Sequence, residues 1–244
     1  MRYLINLSYN GSLFYGYQIQ KNKLTVEGEL EKALSKILNT NINTIAASRT
    51  DKGVHAVNQY CHFDYDKDIN LKKLTHSLNS MINDGIYIRK IKKVSNEFHA
   101  RYNVVKKEYI YKLNMGEYNP IEKDYVLQYN KVINKELLNS FITLMSGEHD
   151  FRSFTSDKDK DSYIRNINIS YKIQNKILYL KFTSSGFLRY MIRNIVGLLL
   201  DINDGKKSLD DIKYIFDSKD RCSLGLCAKG EGLYLNNIEY WHKK

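Results

Sequence analysis

The 244-residue chain has one proline, three cysteines and no apolar run long enough to cross a bilayer. Each scarcity excludes something. Cys61, Cys222 and Cys227 are odd in number and contain no C-x-x-C pair, so neither a disulfide framework nor a cysteine zinc site fits, and three reduced thiols are expected. The longest strongly apolar stretch, IVGLLL at 195–200, is far short of the roughly 20 residues of a membrane helix. At the N-terminus, MRYLINLSYNGS breaks its apolar run with Asn6, Ser8 and Asn10, unlike a secretory signal. A cytoplasmic protein is expected. No low-complexity linker interrupts the chain, and 43% hydrophobic against 27% charged residues is an ordinary globular balance. At this length, one large domain and two modest ones both remain open.

Acidic residues are also scarce. Lys+Arg number 38 against 27 Asp+Glu, a net charge of +11, and such a surface attracts polyanions such as tRNA or another RNA. An AT-rich genome would also give this abundance of Lys, Asn, Ile and Tyr, so composition alone leaves RNA binding open. The 20 tyrosines suit strands and core as well as stacking on unpaired bases.

What is present is periodic. RYLINLSYN alternates as a strand, and GSLFYGYQIQKNK follows as a glycine-marked loop. Val26, Leu30, Ala33, Leu34, Ile37 and Leu38 then recur at helical spacing behind Thr25 as N-cap. A strand at QYCHFDY, a helix marked by Leu71, Leu74, Leu78, Met81 and Ile82, and a strand at GIYIRKIKKVS complete residues 1–103 as an α+β unit. Residues 104–244 begin again with VVKKEYIYKLN, where Tyr109, Tyr111 and Leu113 share one face. There follow a helix at KELLNSFITLMSG closed by Gly147, a strand at KILYLKFTSSGF and a helix at LRYMIRNIVGLLLDI. The end holds a helix at SLDDIKYIF capped by Ser208, and a strand at GLYLNNIEYW. Both halves run from a strand through a Gly/Ser/aromatic loop into a long amphipathic helix, which suggests an internal duplication with a cleft between two sheets.

One loop carries chemistry. In ASRTDKGVHA, residues 47–56, Asp51 stands between Arg49 and Lys52 and just before Gly53. Nearby positive charge keeps such a carboxylate ionised, able to act as nucleophile, base or stabiliser of a cationic transition state. Spacing alone equally allows an Asp that pairs with an arginine or caps a turn. His55 with Asp51 makes a poor metal site, and His55 is read as structural.

This word resembles the G-R-T-D-x-G-V-H-A signature of the tRNA pseudouridine synthase A family. Other words follow the family's order from Tyr9 to Leu235: YNGSLFYGYQIQ, TVEGELEKAL, FHARYNVVKKEYIY, GEHDFRSF and FLRYMIRNIVGLL. Two positions depart from it. Ser48 stands where the family has glycine, and Lys229 in CAKGEGLYL stands where it often has proline.

The resemblance implies a pseudouridine synthase fold: two similar ferredoxin-like or RRM-like halves, their antiparallel sheets joined around a central basic cleft. It implies an enzyme that detaches uracil from its ribose, rotates it and rejoins it through C5, without cofactor or metal. The expected substrate is tRNA, at positions 38 to 40 of the anticodon stem-loop, and the expected assembly is a homodimer. By the same resemblance Asp51 is the nucleophile, Tyr109 stacks on the target uracil and Leu233 lines the pocket. Arg193 is the candidate ionic partner of Asp51, since helical spacing puts it on one face with Arg189 while Leu188, Met191, Ile192, Ile195 and Leu199 serve the core. Arg49, with Phe98 and Arg101 of FHAR, would help shape the RNA groove, while His149 and Asp150 would fix a loop. The alternatives are an RNA-binding module or folding helper without turnover, and a synthase acting on another RNA.

Overall fold

The computed structural model describes residues 1–241 and divides into two compact units. The first comprises Met1–Lys107 together with the segment from Tyr234 onward; the second is Glu108–Leu233. The sequence reading divides the chain after residue 103. Here the cut falls at 107, and the last strand rejoins the first unit by pairing Tyr234 and Leu235 with His55 and Ala56.

In the first unit, β1 (Arg2–Tyr9) lies between β4 (Ile86–Val94) and β3 (His55–Asp64), antiparallel to both, and the short β2 (Ile45–Ala46) borders β3. The C-terminal β10 (Leu233–Tyr240) adds to the far side of β3 and runs parallel to it, a departure from an all-antiparallel sheet. Tyr3, Ile5 and Leu7 alternate on one face of β1 and are fully buried, facing Phe63, Cys61 and Gln59 of β3. Helix α1 (Val26–Leu38) buries Val26, Leu30, Ala33 and Leu34, the stripe its spacing predicts. Thr25 caps it by accepting the Gly28 N–H, and Asn39 ends it at φ 52°. Helix α2 (Leu71–Met81) buries Leu74 and Leu78 and packs on β4.

In the second unit the strand order is β5-β9-β8-β7, with β5 (Val104–Asn114) also flanked by β6 (Leu127–Gln128). Strands β8 (Ile164–Gln174) and β9 (Ile177–Ser184) form a hairpin whose turn residues Asn175 and Lys176 both have positive φ, the geometry that matches strand twist. β7 (Gly147–Asp150) pairs with β8. Helix α3 (Lys135–Met145) ends two residues before Gly147, whose φ of 103° turns the chain into β7. Helix α5 spans Asp211–Ser218; Ser208 lies outside it and donates from N and Oγ to the Asp211 carboxylate.

Helix α4 (Met191–Asn203) is the most buried element of this unit. Its Gly197 faces the backbone of Leu226: a Cβ there would lie 2.0 Å from the Leu226 carbonyl oxygen. Gly197→Ala therefore forces helix and segment apart. We expect a loss of about 2 kcal/mol or more on chemical denaturation, despite alanine's higher helix propensity.

Candidate active site

Asp51 sits on the connection between β2 and β3, and four backbone carbonyls of that connection, those of Ala47, Ser48, Thr50 and Asp51, accept hydrogen bonds. Lys107 Nζ donates to Ala47 O at 2.8 Å, Gln59 Nε2 to Ser48 O at 2.6 Å, Tyr17 N to Thr50 O at 3.0 Å and Val54 N to Asp51 O at 3.2 Å. Ala47 N donates to Tyr60 O, and the Thr50 hydroxyl lies 2.7 Å from that of Tyr9. A loop anchored at four carbonyls and at the Ala47 amide has little freedom left to exchange conformations.

The glycines of YNGSLFYGYQ have their reason here. A Cβ on Gly11 would lie 2.0 Å from Val54 O, and one on Gly16, whose φ is 102°, 2.9 Å from Thr50 O. The 11–16 segment thus lies backbone to backbone against residues 50–54. Below it, His55 accepts the Gly11 N–H through Nδ1 at 3.1 Å and stacks on Tyr234, which bears out its structural reading. The carboxylate belongs to a half-buried residue, flanked in sequence by exposed Arg49 and Lys52. The Lys52 and Lys23 ammoniums lie 4.6 and 4.4 Å from the centroid of the Tyr15 ring, gathering positive charge on this side of the loop. Ser48 has no positive φ, so serine in place of glycine strains nothing.

Arg101 is exposed on the turn after Phe98, and that turn is tied down at three points. Arg2 donates to Phe98 O, Tyr240 to Ala100 O, and His62 accepts the Ala100 N–H through Nδ1 at 3.1 Å. Burial, the Arg2 charge and His99 together push the His62 pKa down to about 4.

In the second unit, Arg193 is bonded to the segment that leads to Leu233. Arg193 Nε donates to Ala228 O at 2.7 Å, and the Arg193 carbonyl accepts the Ala228 N–H. The Tyr111 hydroxyl donates to Lys229 O at 2.7 Å, and Gly232 lies so close to β5 that a Cβ would meet Lys112 O at 2.6 Å. This brings Leu233, 5% exposed, to the start of β10. Lys229 has φ −66°, a value proline also takes, so the departure there leaves the backbone path unchanged. Tyr109 is buried with its ring edge-on to Phe187, centroids 5.3 Å apart. The reading of Arg189 and Arg193 as one helical face is corrected, because α4 begins only at Met191. What relates them is Tyr190: held at φ 62°, its ring has the Arg189 guanidinium 4.9 Å away and that of Arg193 5.2 Å away. His149 bonds Ser146 O and stacks on Phe216, and Asp150 accepts the Arg152 N–H; both fix the turn after α3.

Lys107, Gln59 and Tyr190 are site-building residues that the motif reading passed over. For Lys107 a signal existed: two-residue alternation puts it on the same face as the buried Tyr109, Tyr111 and Leu113.

Comparisons with known proteins show the family. A family model described as tRNA pseudouridine synthase matches residues 7–103 and 142–241. The tRNA pseudouridine synthase A of Mycoplasma genitalium is 39% identical over 241 residues, 98% of each chain. That of Malacoplasma penetrans is also 39% identical, covering 98% of this chain and all of its own. That of Limosilactobacillus reuteri is 37% identical over 98% of this chain and 96% of its own.

The His62 contact generates a stability prediction. Protonating Nδ1 would set a proton against the Ala100 N–H, so the folded state resists a proton that the unfolded state takes up near the ordinary value of 6.5. The contribution of His62 is present above that value and is lost as pH falls toward about 4. Between pH 7 and 4.5 the protein should lose about 1–2 kcal/mol through this residue. Denaturation midpoints of the parent and His62→Asn measure it: the variant's acid slope should be shallower, and an unchanged slope would exclude the assignment.

Proposed function

This chain belongs to the tRNA pseudouridine synthase family, and from that premise we propose that it converts uridine to pseudouridine at positions 38 to 40 of the tRNA anticodon stem-loop. The observation that supports this most is the position of Asp51 on a loop whose backbone is fixed from four directions. Breaking the N1–C1′ bond builds positive character on the sugar, and an ionised carboxylate at a fixed point stabilises that charge or captures it covalently. After the uracil rotates, C5 bonds to C1′ as the carboxylate is released; the C5 proton then passes to water and N1 takes one up, so that the product is an isomer of the substrate. The reaction needs no oxidant, and the proposal includes neither cofactor nor metal.

In this reading Arg193 is the ionic partner of Asp51. Its Nε bond to Ala228 O and its place beside the Tyr190 ring hold the guanidinium in one orientation, as charge placement requires. Tyr109 offers its ring to the flipped uracil, and Leu233 an apolar wall. Arg49, Lys52 and Arg101 contact phosphates, which helps offset the few kcal/mol that unstacking the target base costs. A homodimer acting on tRNA in the cytoplasm belongs to the same reading.

Asp51→Asn keeps the side chain's shape and removes its charge. The variant should form pseudouridine at least about a thousandfold more slowly, the order expected when a covalent nucleophile is lost. Its dissociation constant for tRNA should stay within about threefold, because the phosphate contacts are untouched. Digesting uridine-labelled tRNA to nucleosides reads the first quantity, and filter binding the second. Turnover within tenfold of the parent would overturn the nucleophile assignment.

A further inference from the structure

Lys107 has no role in the chemistry above, yet its surroundings are unlike those of a surface lysine. It is half-buried in β5 on the face of the buried tyrosines, and its ammonium donates to Ala47 O at 2.8 Å and lies 3.5 Å from Ser48 Oγ. Ala47 is fully buried, so water has no access with which to replace that donor. We infer that Lys107 is a positioning residue for the reaction: its ammonium fixes the entry to the loop that carries Asp51, and through it the place of the carboxylate. The inference rests on the proposed role of Asp51 and names a residue that this role does not itself require.

Between Ala47 and Asp51 the chain can swing only if its carbonyl anchors let go. Gln59 anchors Ser48, while Tyr17 and Val54 anchor Thr50 and Asp51 through backbone amides that no side-chain substitution removes. Lys107 is the anchor furthest upstream and the charged one, and a charged donor to a carbonyl is about twice as strong as a neutral one. The cost of holding an ammonium there is visible: burial first, then the Arg101 charge, push its pKa down to about 8. A charge kept in so unfavourable a place, and directed at the catalytic loop, is explained by what it holds. Its lysine neighbour differs in this respect, since Lys106 pairs with Glu239 across exposed surface.

Lys107→Met and Lys107→Arg test this in single-turnover and steady-state assays with uridine-labelled tRNA. Displacing a reacting group by about 1 Å costs roughly a hundredfold in rate, so Lys107→Met should lower kcat by about that factor while KM for tRNA stays within about threefold. Lys107→Arg restores a permanent cation with donors and should recover kcat to within about fivefold of the parent. A methionine variant as fast as the parent would overturn the inference, as would one whose loss appears wholly in KM. If the methionine variant does not fold, arginine decides: a folded Lys107→Arg with kcat as low as Asp51→Asn also overturns it. Failure of the underlying reading looks different, because the parent itself would then make no pseudouridine. In that case the inference falls with it.

Discussion

The structure around Asp51 depends on one constraint: the backbone of residues 47–54 is held by donors from four different parts of the chain. A carboxylate on a mobile loop would spend most of its time away from a reacting sugar. Here the donors come from β5, β3, the segment before α1 and the loop itself. Satisfying the carbonyls within the protein also removes the water that would otherwise solvate them.

The same constraint explains residues that look unrelated in sequence. Gly11 and Gly16 are small because the 50–54 backbone runs against them, and Gly197 and Gly232 perform the same service for the segment around Ala228 in the second unit. In both units a candidate site residue stands on backbone pinned by close approach, and glycine is what permits that approach. Tyr190 takes the opposite course. A bulky residue at φ 62° carries strain of about 1–3 kcal/mol, and two guanidiniums lie close to its ring. Strain of that size persists where the surrounding contacts over-determine it, and Arg193 is bonded to Ala228 at both backbone and side chain.

Much of this was legible in the sequence because it is local. The α1 stripe and its Thr25 cap follow from helical period and cap chemistry, and the turn at Gly53, with φ 80°, from glycine's tolerance of positive φ. The word RTDKG marks a candidate site through residue types that only a motif ties to chemistry. What escaped was non-local. No period in residues 1–107 announces that a strand from residue 233 onward will pair with β3, since that choice is made by sheet geometry and costs loop-closure entropy alone. RYMIR has helical period, which gives Arg189 a helical face, but the α-helix starts only after Tyr190 turns left-handed. A lysine in a strand is ordinarily solvated, so Lys107 carries no local signal of its burial. Only its register with Tyr109 and Tyr111 hinted that it faces inward.

The central claim, that the loop is fixed before any RNA arrives, is open to direct measurement by native-state amide hydrogen exchange on the protein alone. The reporters are the amides of Tyr17 and Val54, which donate to the carbonyls of Thr50 and Asp51. Protection comparable to that of the paired amides of β1 and β3 is the predicted result. Exchange of those two amides near the rate of an unstructured peptide would contradict the account, because Asp51 would then be placed only by its substrate.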